Sequence, residues 1–233
     1  FSHLTLKASY SLTADRGPSS ITNSTSIFQA YNPYRPFSSD KESGIALYQT
    51  GNDELTYEKK HELNLGIDAG FLNNRINVTF DVYRRNNYDL IGVVTTQGIN
   101  REVSSYGNVA SMKSHGEELS ISTTNIKNKD FSWTTNFIYS HAVNEVTDLM
   151  SKASTMDYIQ GSGFAKKGYP VRALFSIPFV GLSEDGYPMF INDKGNVTVG
   201  GINFQERENN DYLKYEGPTD PVYTGSLGNI FTY

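Results

Sequence analysis

Apolar and polar residues alternate strictly along several stretches of this chain. From His3 to Thr13, Leu4, Leu6, Ala8, Tyr10 and Leu12 point one way, and Thr5, Lys7, Ser9, Ser11 and Thr13 point the other. A period of two sustained over about ten residues predicts a strand long enough to cross a bilayer when tilted. Tyr57 to Phe71 repeats the pattern. Leu63, Leu65, Ile67, Ala69 and Phe71 form one row, and Glu58, Lys60, Glu62, Asn64, Gly66 and Asp68 the other. The charges in the second row require water on that side. After the polar turn Leu72-Asn73-Asn74-Arg75, Ile76, Val78, Phe80 and Val82 alternate with Asn77, Thr79, Asp81 and Tyr83, so a hairpin is predicted.

The unit recurs further on. Leu119 and Ile121 alternate with Glu118, Ser120 and Ser122. The short segment Asn125 to Asp130 predicts a turn, and Phe131, Trp133, Phe137 and Tyr139 then alternate with Ser132, Thr134, Asn136 and Ser140. Trp133 and Phe131 stand beside that turn, where an interfacial aromatic girdle would put them. Val222 to Tyr233 predicts one more strand.

Between these strands lie three long segments, 14–56, 92–115 and 144–221. The first carries Arg16-Gly17-Pro18, Asn32-Pro33 and Arg35-Pro36, all breakers of regular structure. Local strands are predicted in the last at Leu174–Leu182 and Tyr187–Val199. Pro178 argues against a membrane-crossing ladder there, because proline has no amide hydrogen to donate.

Short turns and long segments alternate strictly. The fold class is therefore all-β, a fragment of a transmembrane antiparallel up-and-down β-barrel with about six crossings and long extracellular loops. Six strands cannot close a barrel whose smallest natural members have about eight. Unpaired edges are a liability, so neighbouring strands are expected from sequence beyond both ends of the chain.

Composition sharpens this picture. Sixteen Tyr and thirteen Phe stand against a single Trp, the aromatic excess that membrane interfaces attract. No run of about 18 apolar residues offers a membrane-spanning helix, and Phe1 opens no signal peptide. A net charge of −5 argues against a nucleic-acid partner. Cysteine is absent, so neither a disulfide frame nor a thiolate metal site is expected.

Catalytic and metal constellations are weak. His3, His61, His115 and His141 are scattered without zinc-ligand spacing. Glu117 and Glu118, adjacent on a strand, face opposite ways and cannot readily share a proton. Asn192-Asp193-Lys194-Gly195-Asn196 resembles half of a calcium loop but lacks the closing glutamate, and predicts a tight turn instead. No metal, cofactor or catalytic residue is assigned. The sequons at Asn23, Asn77 and Asn196 read as chance matches.

Loop aromatics are the more promising chemistry. Phe28, Tyr31, Tyr34, Phe37 and Tyr48 cluster in the first long segment, and Tyr158, Phe164 and Tyr169 lie in the last. Flat rings offer sugars or peptides a stacking surface; the alternative is that they pack the loops together. Tyr31, Tyr34, Phe37, Tyr48, Tyr158 and Tyr169 are the candidate substrate contacts, and Lys60, Glu62, Asn64, Asp68 and Asp81 the candidate lumen-facing row.

Several runs resemble one family. Asn52 to Lys59 is similar to the "N-P-x-L-x-W-E-K" approach of SusC/RagA-type TonB-linked outer-membrane proteins, with Asp53 in place of Pro and Tyr57 in place of Trp. Asn64 to Ile76 resembles "N-I-G-L-D-x-G-F-L-N-N-R". Gly107-Asn108-Val109 and Gly116-Glu117-Glu118-Leu119 resemble its "N-x-G-x-x-x-N-x-G-x-E-L" segment, with Ser114 and His115 in place of an Asn pair. Phe131 to Phe137, Asn144-Glu145-Val146, Gly168-Tyr169-Pro170-Val171, Gly181-Leu182 and Asp220-Pro221 follow in the family's order.

The resemblance implies that residues 1–233 are part of one TonB-dependent barrel domain, from the C-terminal part of the barrel, without a plug. It implies a barrel of about twenty-two strands, a SusD-like surface lipoprotein partner, energy from the TonB complex through a region absent from this chain, and contact with outer-membrane lipid. The function it implies is import of glycans or peptides. The alternatives are a TonB-dependent metal-chelate (siderophore) receptor, a secreted β-sandwich binding module or adhesin, and a β-sandwich hydrolase. The last is weakest because no acid pair is in place.

Overall fold

The turn Leu72–Arg75 shows how closely this sequence specifies its hairpins. Leu72, Asn73 and Asn74 all adopt left-handed backbone, with φ of 52°, 55° and 62°. Asn tolerates that region better than other side-bearing residues because its short amide bonds locally. Here the Asn77 side chain donates to the Asn74 carbonyl at 2.9 Å. The Arg75 guanidinium then reaches the neighbouring strand end, donating to the carbonyls of Thr124 (3.1 Å) and Asn125 (2.7 Å).

The structure is a computed structural model that describes residues 1–17, 25–32, 43–49, 51–95 and 104–233. Its strands in chain order are β1 His3–Asp15, β2 Ile27–Tyr31, β3 Gly44–Gln49, β4 Glu58–Phe71, β5 Ile76–Thr95, β6 Ser104–Lys127 and β7 Ser132–Leu149. After the short helix α1, Thr155–Ile159, come β8 Ala173–Ser176, β9 Phe179–Leu182, β10 Pro188–Ile191, β11 Val197–Thr198, β12 Lys214–Pro218 and β13 Tyr223–Thr232.

Six strands form one antiparallel sheet in the order β1-β4-β5-β6-β7-β13. These are the six predicted crossings, and β13 pairs directly with β7. Every residue of β1 and of β13 is exposed, and each of the two strands has one unpaired edge. The arc is open, and among the described residues the one cluster of buried apolar side chains lies off the sheet, with only Ala69, Val109 and Val146 buried on it.

Segment 92–115 departs most from expectation. It was expected as a loop, but β5 runs to Thr95 and β6 starts at Ser104. The reason is a pair of register shifts, between Asn87 and Leu90 and between Leu90 and Ile91, around Asp89 at φ 57°. A bulge inserts an unpaired residue and reverses the phase of alternation, so the ladder continues where the period of two fails. A further shift between Thr124 and Ile126 carries β6 to Lys127 and moves the turn to Asn128–Phe131, later than the expected Asn125–Asp130. β7 likewise extends to Leu149, beyond the expected loop start at Asn144. Segment 14–56 contains the paired strands β2 and β3.

None of the strands described between β7 and β13 belongs to the six-stranded sheet. The segment folds as a small outer domain. β8 pairs with β12, and β9, β10 and β11 form a three-stranded sheet. Leu174–Leu182 is thus two short strands in different sheets, separated at Ile177-Pro178. Ala153, Tyr158, Ala173, Phe175 and Leu213 form its core. Helix α1 was not anticipated. It is held by a capping box in which Ser154 and Asp157 bond each other's backbone and side chain.

Candidate functional site

The register sorts the sheet into two chemically distinct faces. On one face the cross-strand rows read Leu4–Ala69–Val78–Ile121–Phe137–Leu227 and Leu6–Ile67–Phe80–Leu119–Tyr139. The larger side chains at the edge of this face stand open, Leu6 at 73% exposed, while the small Ala69 is covered by its neighbours. At the short-turn end the face closes with rings. Trp133 stacks on Phe231 at 5.6 Å, Phe131 lies 6.4 Å from Phe231, and Phe1 lies 4.9 Å from Phe71. Its upper limit carries Tyr10 bonded to His61 (2.8 Å), His61 against Tyr88, and His141 stacked on Tyr223. An apolar band between two aromatic belts is the surface a bilayer selects.

The opposite face is polar and ion-paired. Lys7 on β1 reaches Asp68 on β4 at 3.0 Å and Asp81 on β5 at 3.4 Å. Gly66 makes this possible, because a β-carbon there would collide with the Asp81 carboxylate. One row of pairs intervenes, with Asn64 beside Tyr83. Above it Glu62 accepts from Lys60 at 2.8 Å and meets Arg85 at 3.1 Å. The Arg85 guanidinium lies 4.1 Å above the Tyr83 ring, and Tyr83 in turn covers Gly116, where a β-carbon would come within 2.6 Å of its hydroxyl. All five residues of the candidate row, Lys60, Glu62, Asn64, Asp68 and Asp81, share this face.

The upper ends of β4, β5 and β6 are stitched by side chains. At the Asp89 bulge the strand ladder is broken. Glu58 accepts the Ile91 amide at 2.8 Å, and Asn108 donates to the Asp89 carbonyl at 2.5 Å. Lys59 pairs with the Asp89 carboxylate at 2.7 Å. In the sequence Glu58 belongs to the water-facing row and to the Asn52–Lys59 run, and Asn108 to the Gly107-Asn108-Val109 run, but neither pattern points to these bonds.

The candidate aromatics divide. Tyr31 and Tyr48 stand exposed on the β2–β3 hairpin, where Tyr48 is the extra residue of a bulge opposite Ile27–Phe28. Tyr34 and Phe37 lie outside the described residues. Tyr158 and Tyr169 stand in the packing of the outer domain instead of on an open loop. Tyr158 is only 6% exposed and meets Phe164 and Phe175 edge-on; Tyr169 packs on Phe175 and Tyr215. Packing of the outer domain claims both rings, since an apolar core of this size has few other large side chains.

That core also encloses a cation. Lys166 Nζ lies 5.7 Å from the Tyr158 ring centre, 5.8 Å from Tyr169 and 5.5 Å from Phe175. It donates to the Asn210 carbonyl at 2.9 Å and pairs with Asp211 at 3.1 Å. Ring faces attract an ammonium at this range. Burial pushes the Tyr158 hydroxyl above the ordinary tyrosine range. Backbone and hydroxyl donation from Ser154 holds Asp157 below the usual carboxylate range, and the Ser176 hydroxyl and Lys214 do the same for Glu216.

Comparison with known proteins agrees with this arrangement. The sequence model of the family described as "TonB dependent receptor-like, beta-barrel" matches residues 1–229. TonB-dependent receptor P39 of Formosa agariphila is 33% identical over 166 residues, which are 71% of this chain and 14% of that protein. TonB-dependent receptor SusC of Bacteroides thetaiotaomicron is 29% identical over 189 residues, 75% of this chain and 18% of that one. A structure of the RagAB peptide transporter superposes with a TM-score of 0.74 at 24% identity, covering 99% of this chain and 25% of that one. The chain thus spans between 14% and 25% of the length of these proteins. Theirs is a family of receptors and transporters rather than of enzymes. With its open antiparallel arc, its girdled apolar face and this match, the chain belongs to the TonB-dependent receptor β-barrel family of SusC/RagA type, as a stretch of an outer-membrane barrel wall.

Proposed function

We propose that the complete protein is a TonB-dependent nutrient importer that takes up glycans or peptides together with a SusD-like surface lipoprotein. The observation that carries this reading is the polar face. Its ion pairs, Lys7–Asp68–Asp81 and Lys60–Glu62–Arg85, would be costly against lipid and are at home along a hydrated lumen. In this reading Lys60, Glu62, Asn64, Asp68 and Asp81 face the lumen, and segments 14–56, 92–115 and 144–221 lie outside the cell. Solute is captured by the outer segments and passed along the polar wall. No bond in the solute is broken, so transport requires no catalytic residue.

The test is genetic. Deletion of the gene should abolish growth on one glycan or peptide source and spare growth on simple sugars and amino acids. A deletion strain that loses growth only under metal limitation would assign the protein to chelate uptake and overturn the nutrient reading.

A further inference from the structure

A gap in the apolar face lies directly beneath an arginine. Across β1, β4 and β5 a groove of about 340 Å³ runs among Leu6, Ala8, Leu65, Ile67, Phe80 and Val82. Gly66 and Lys7, whose ammonium pairs on the opposite face, complete its lining. Ala8 opens it. Leu6 and Tyr10 flank Ala8 on the same face of β1, and Leu65 and Val82 continue its row, so a methyl group stands where its neighbours carry larger side chains. The six side chains around the groove are hydrocarbon throughout, and its volume falls in the range of small-molecule sites.

The row above the groove has a different chemistry. Tyr10, Leu63, Arg84 and His115 stand opposite one another on β1, β4, β5 and β6, and cross-strand partners share a face. Arg84 therefore follows Val82 on the apolar side of β5. It is exposed. Among the described residues no carboxylate pairs with it, whereas Lys59, Lys60, Arg85 and Lys113 each have one. Glu117, diagonal to Arg84 on β6, lies 3.8 Å from His141 on β7, the strand farther from Arg84. A cation on a lipid-facing wall is costly unless it reaches the headgroup layer or meets an anion. Arg84 shares its row with Tyr10 of the upper aromatic belt, and such belts sit at headgroup level.

A hydrocarbon groove below and an unpaired guanidinium above match the two ends of one molecule. Guanidinium takes phosphate through two parallel N–H donations. His115, exposed beside Arg84, adds a ring nitrogen. We propose that the groove and Arg84 form a site for one acidic, phosphate-bearing membrane lipid, with an acyl chain over Ala8 and the phosphate on Arg84. A zwitterionic lipid brings a second cation to the same place, and an uncharged lipid leaves Arg84 unpaired. The proposal rests on the apolar face being the lipid-facing one, which Ile67→Lys tests separately.

The experiment uses the complete protein, purified in a neutral detergent and stripped of its own lipid. It is titrated with phosphatidylglycerol or with phosphatidylcholine of the same chain length, and bound lipids are counted by native mass spectrometry. Comparison of each variant with the wild type cancels sites elsewhere on the barrel. Arg84→Gln should weaken the tightest phosphatidylglycerol step about tenfold, the worth of one charge-assisted hydrogen bond, and leave phosphatidylcholine binding unchanged. Ala8→Phe fills the groove without touching the charge and should weaken the same step. The heat-modifiable folded band should be unchanged in both; if Arg84→Gln fails to fold, Ala8→Phe carries the expectation alone. Equal phosphatidylglycerol binding by the wild type and the folded variants overturns the proposal. So does a loss in Arg84→Gln with none in Ala8→Phe, which reduces the site to a surface charge, or an equal loss of both lipids in Arg84→Gln. None of these outcomes touches the growth phenotype that tests import.

Discussion

The side chain of Asn108 on β6 pairs with the backbone of Thr56 as another strand would. Its carbonyl accepts the Thr56 amide at 2.8 Å and its amide donates to the Thr56 carbonyl at 2.9 Å. The same amide group also takes the Asp89 carbonyl, so one residue closes both the approach to β4 and the bulge of β5. Asn108→Ala leaves three backbone groups without these partners. Each costs about 1–3 kcal/mol if left unsatisfied in a buried setting, and less where water enters. The expected outcome is faster hydrogen exchange at the Thr56 amide and protease nicking near residues 51–57 in intact cells, with the lower sheet unaffected.

Neighbouring residues on opposite faces of β4 should respond differently to the same charge. Ile67→Lys places an ammonium in the apolar band, at about 2–4 kcal/mol near the bilayer midplane. Asp68→Lys changes the polar face, where it loses the pair with Lys7. The yield of folded, heat-modifiable barrel should drop in the first and hold in the second. Equal yields would contradict the facing of this strand.

The turn offers a stabilising change. Leu72 holds φ 52°, a region that costs an L-residue with a β-carbon roughly 1–2 kcal/mol relative to right-handed backbone. Leu72→Gly should raise resistance to urea by up to about 1 kcal/mol, less the entropy that glycine gains in the unfolded chain. Leu72→Val should lower it. Urea midpoints of the two variants check the sign.

Rings in the core and rings on the hairpin should separate cleanly. Tyr158→Ala removes the central ring of the outer domain and should cost about 3–5 kcal/mol, as large aromatic truncations do. It also strips one wall from the Lys166 enclosure. Tyr31→Ala and Tyr48→Ala should leave stability unchanged, since both side chains are exposed. Any loss of solute binding in these two is then a contact effect rather than an unfolding effect.

Acid should loosen the outer domain, which neutral pH leaves intact. Asp157 and Glu216 have folded-state pKa values below their ordinary ones, so they contribute stability above the ordinary carboxylate range. That contribution is lost as pH falls through the depressed values, when the carboxylates take up protons. Protease sensitivity of residues 150–220 should rise as pH drops below the ordinary carboxylate range. Asp157→Asn should already show part of that sensitivity at neutral pH.

The crossings were legible in the sequence because each strand carries a water-facing and a lipid-facing row, and β4 shows both without interruption. Proline at 178 marked correctly where no crossing could run. The bulges hid the rest. Around Asp89 and Asn125 an inserted residue flips the alternation, so a continuing ladder reads as its end. The outer domain was hidden for another reason. Tyr158 and Tyr169 are apolar enough for a core and polar enough for a ligand, and only their neighbours Phe175 and Lys166 decide between the two. Helix α1, five residues long, left little trace beyond Ser154 and Asp157.

The edge of β7 has two occupants. β13 pairs with it up to His141, and the Val222 carbonyl takes the next amide, that of Ala142. Above that, Val146 exchanges backbone bonds with Gly168 and Tyr169 at 2.8 and 2.9 Å, the Asn144 side chain accepts the Val171 amide, and Lys167 pairs with Asp148. The outer domain is therefore fastened to the wall by backbone bonds along the free edge of β7, like a bracket rather than a door. To swing as one piece it must first unzip those bonds. The sheet β9–β10–β11 bears none of these bonds, so it can shift against the wall without breaking them.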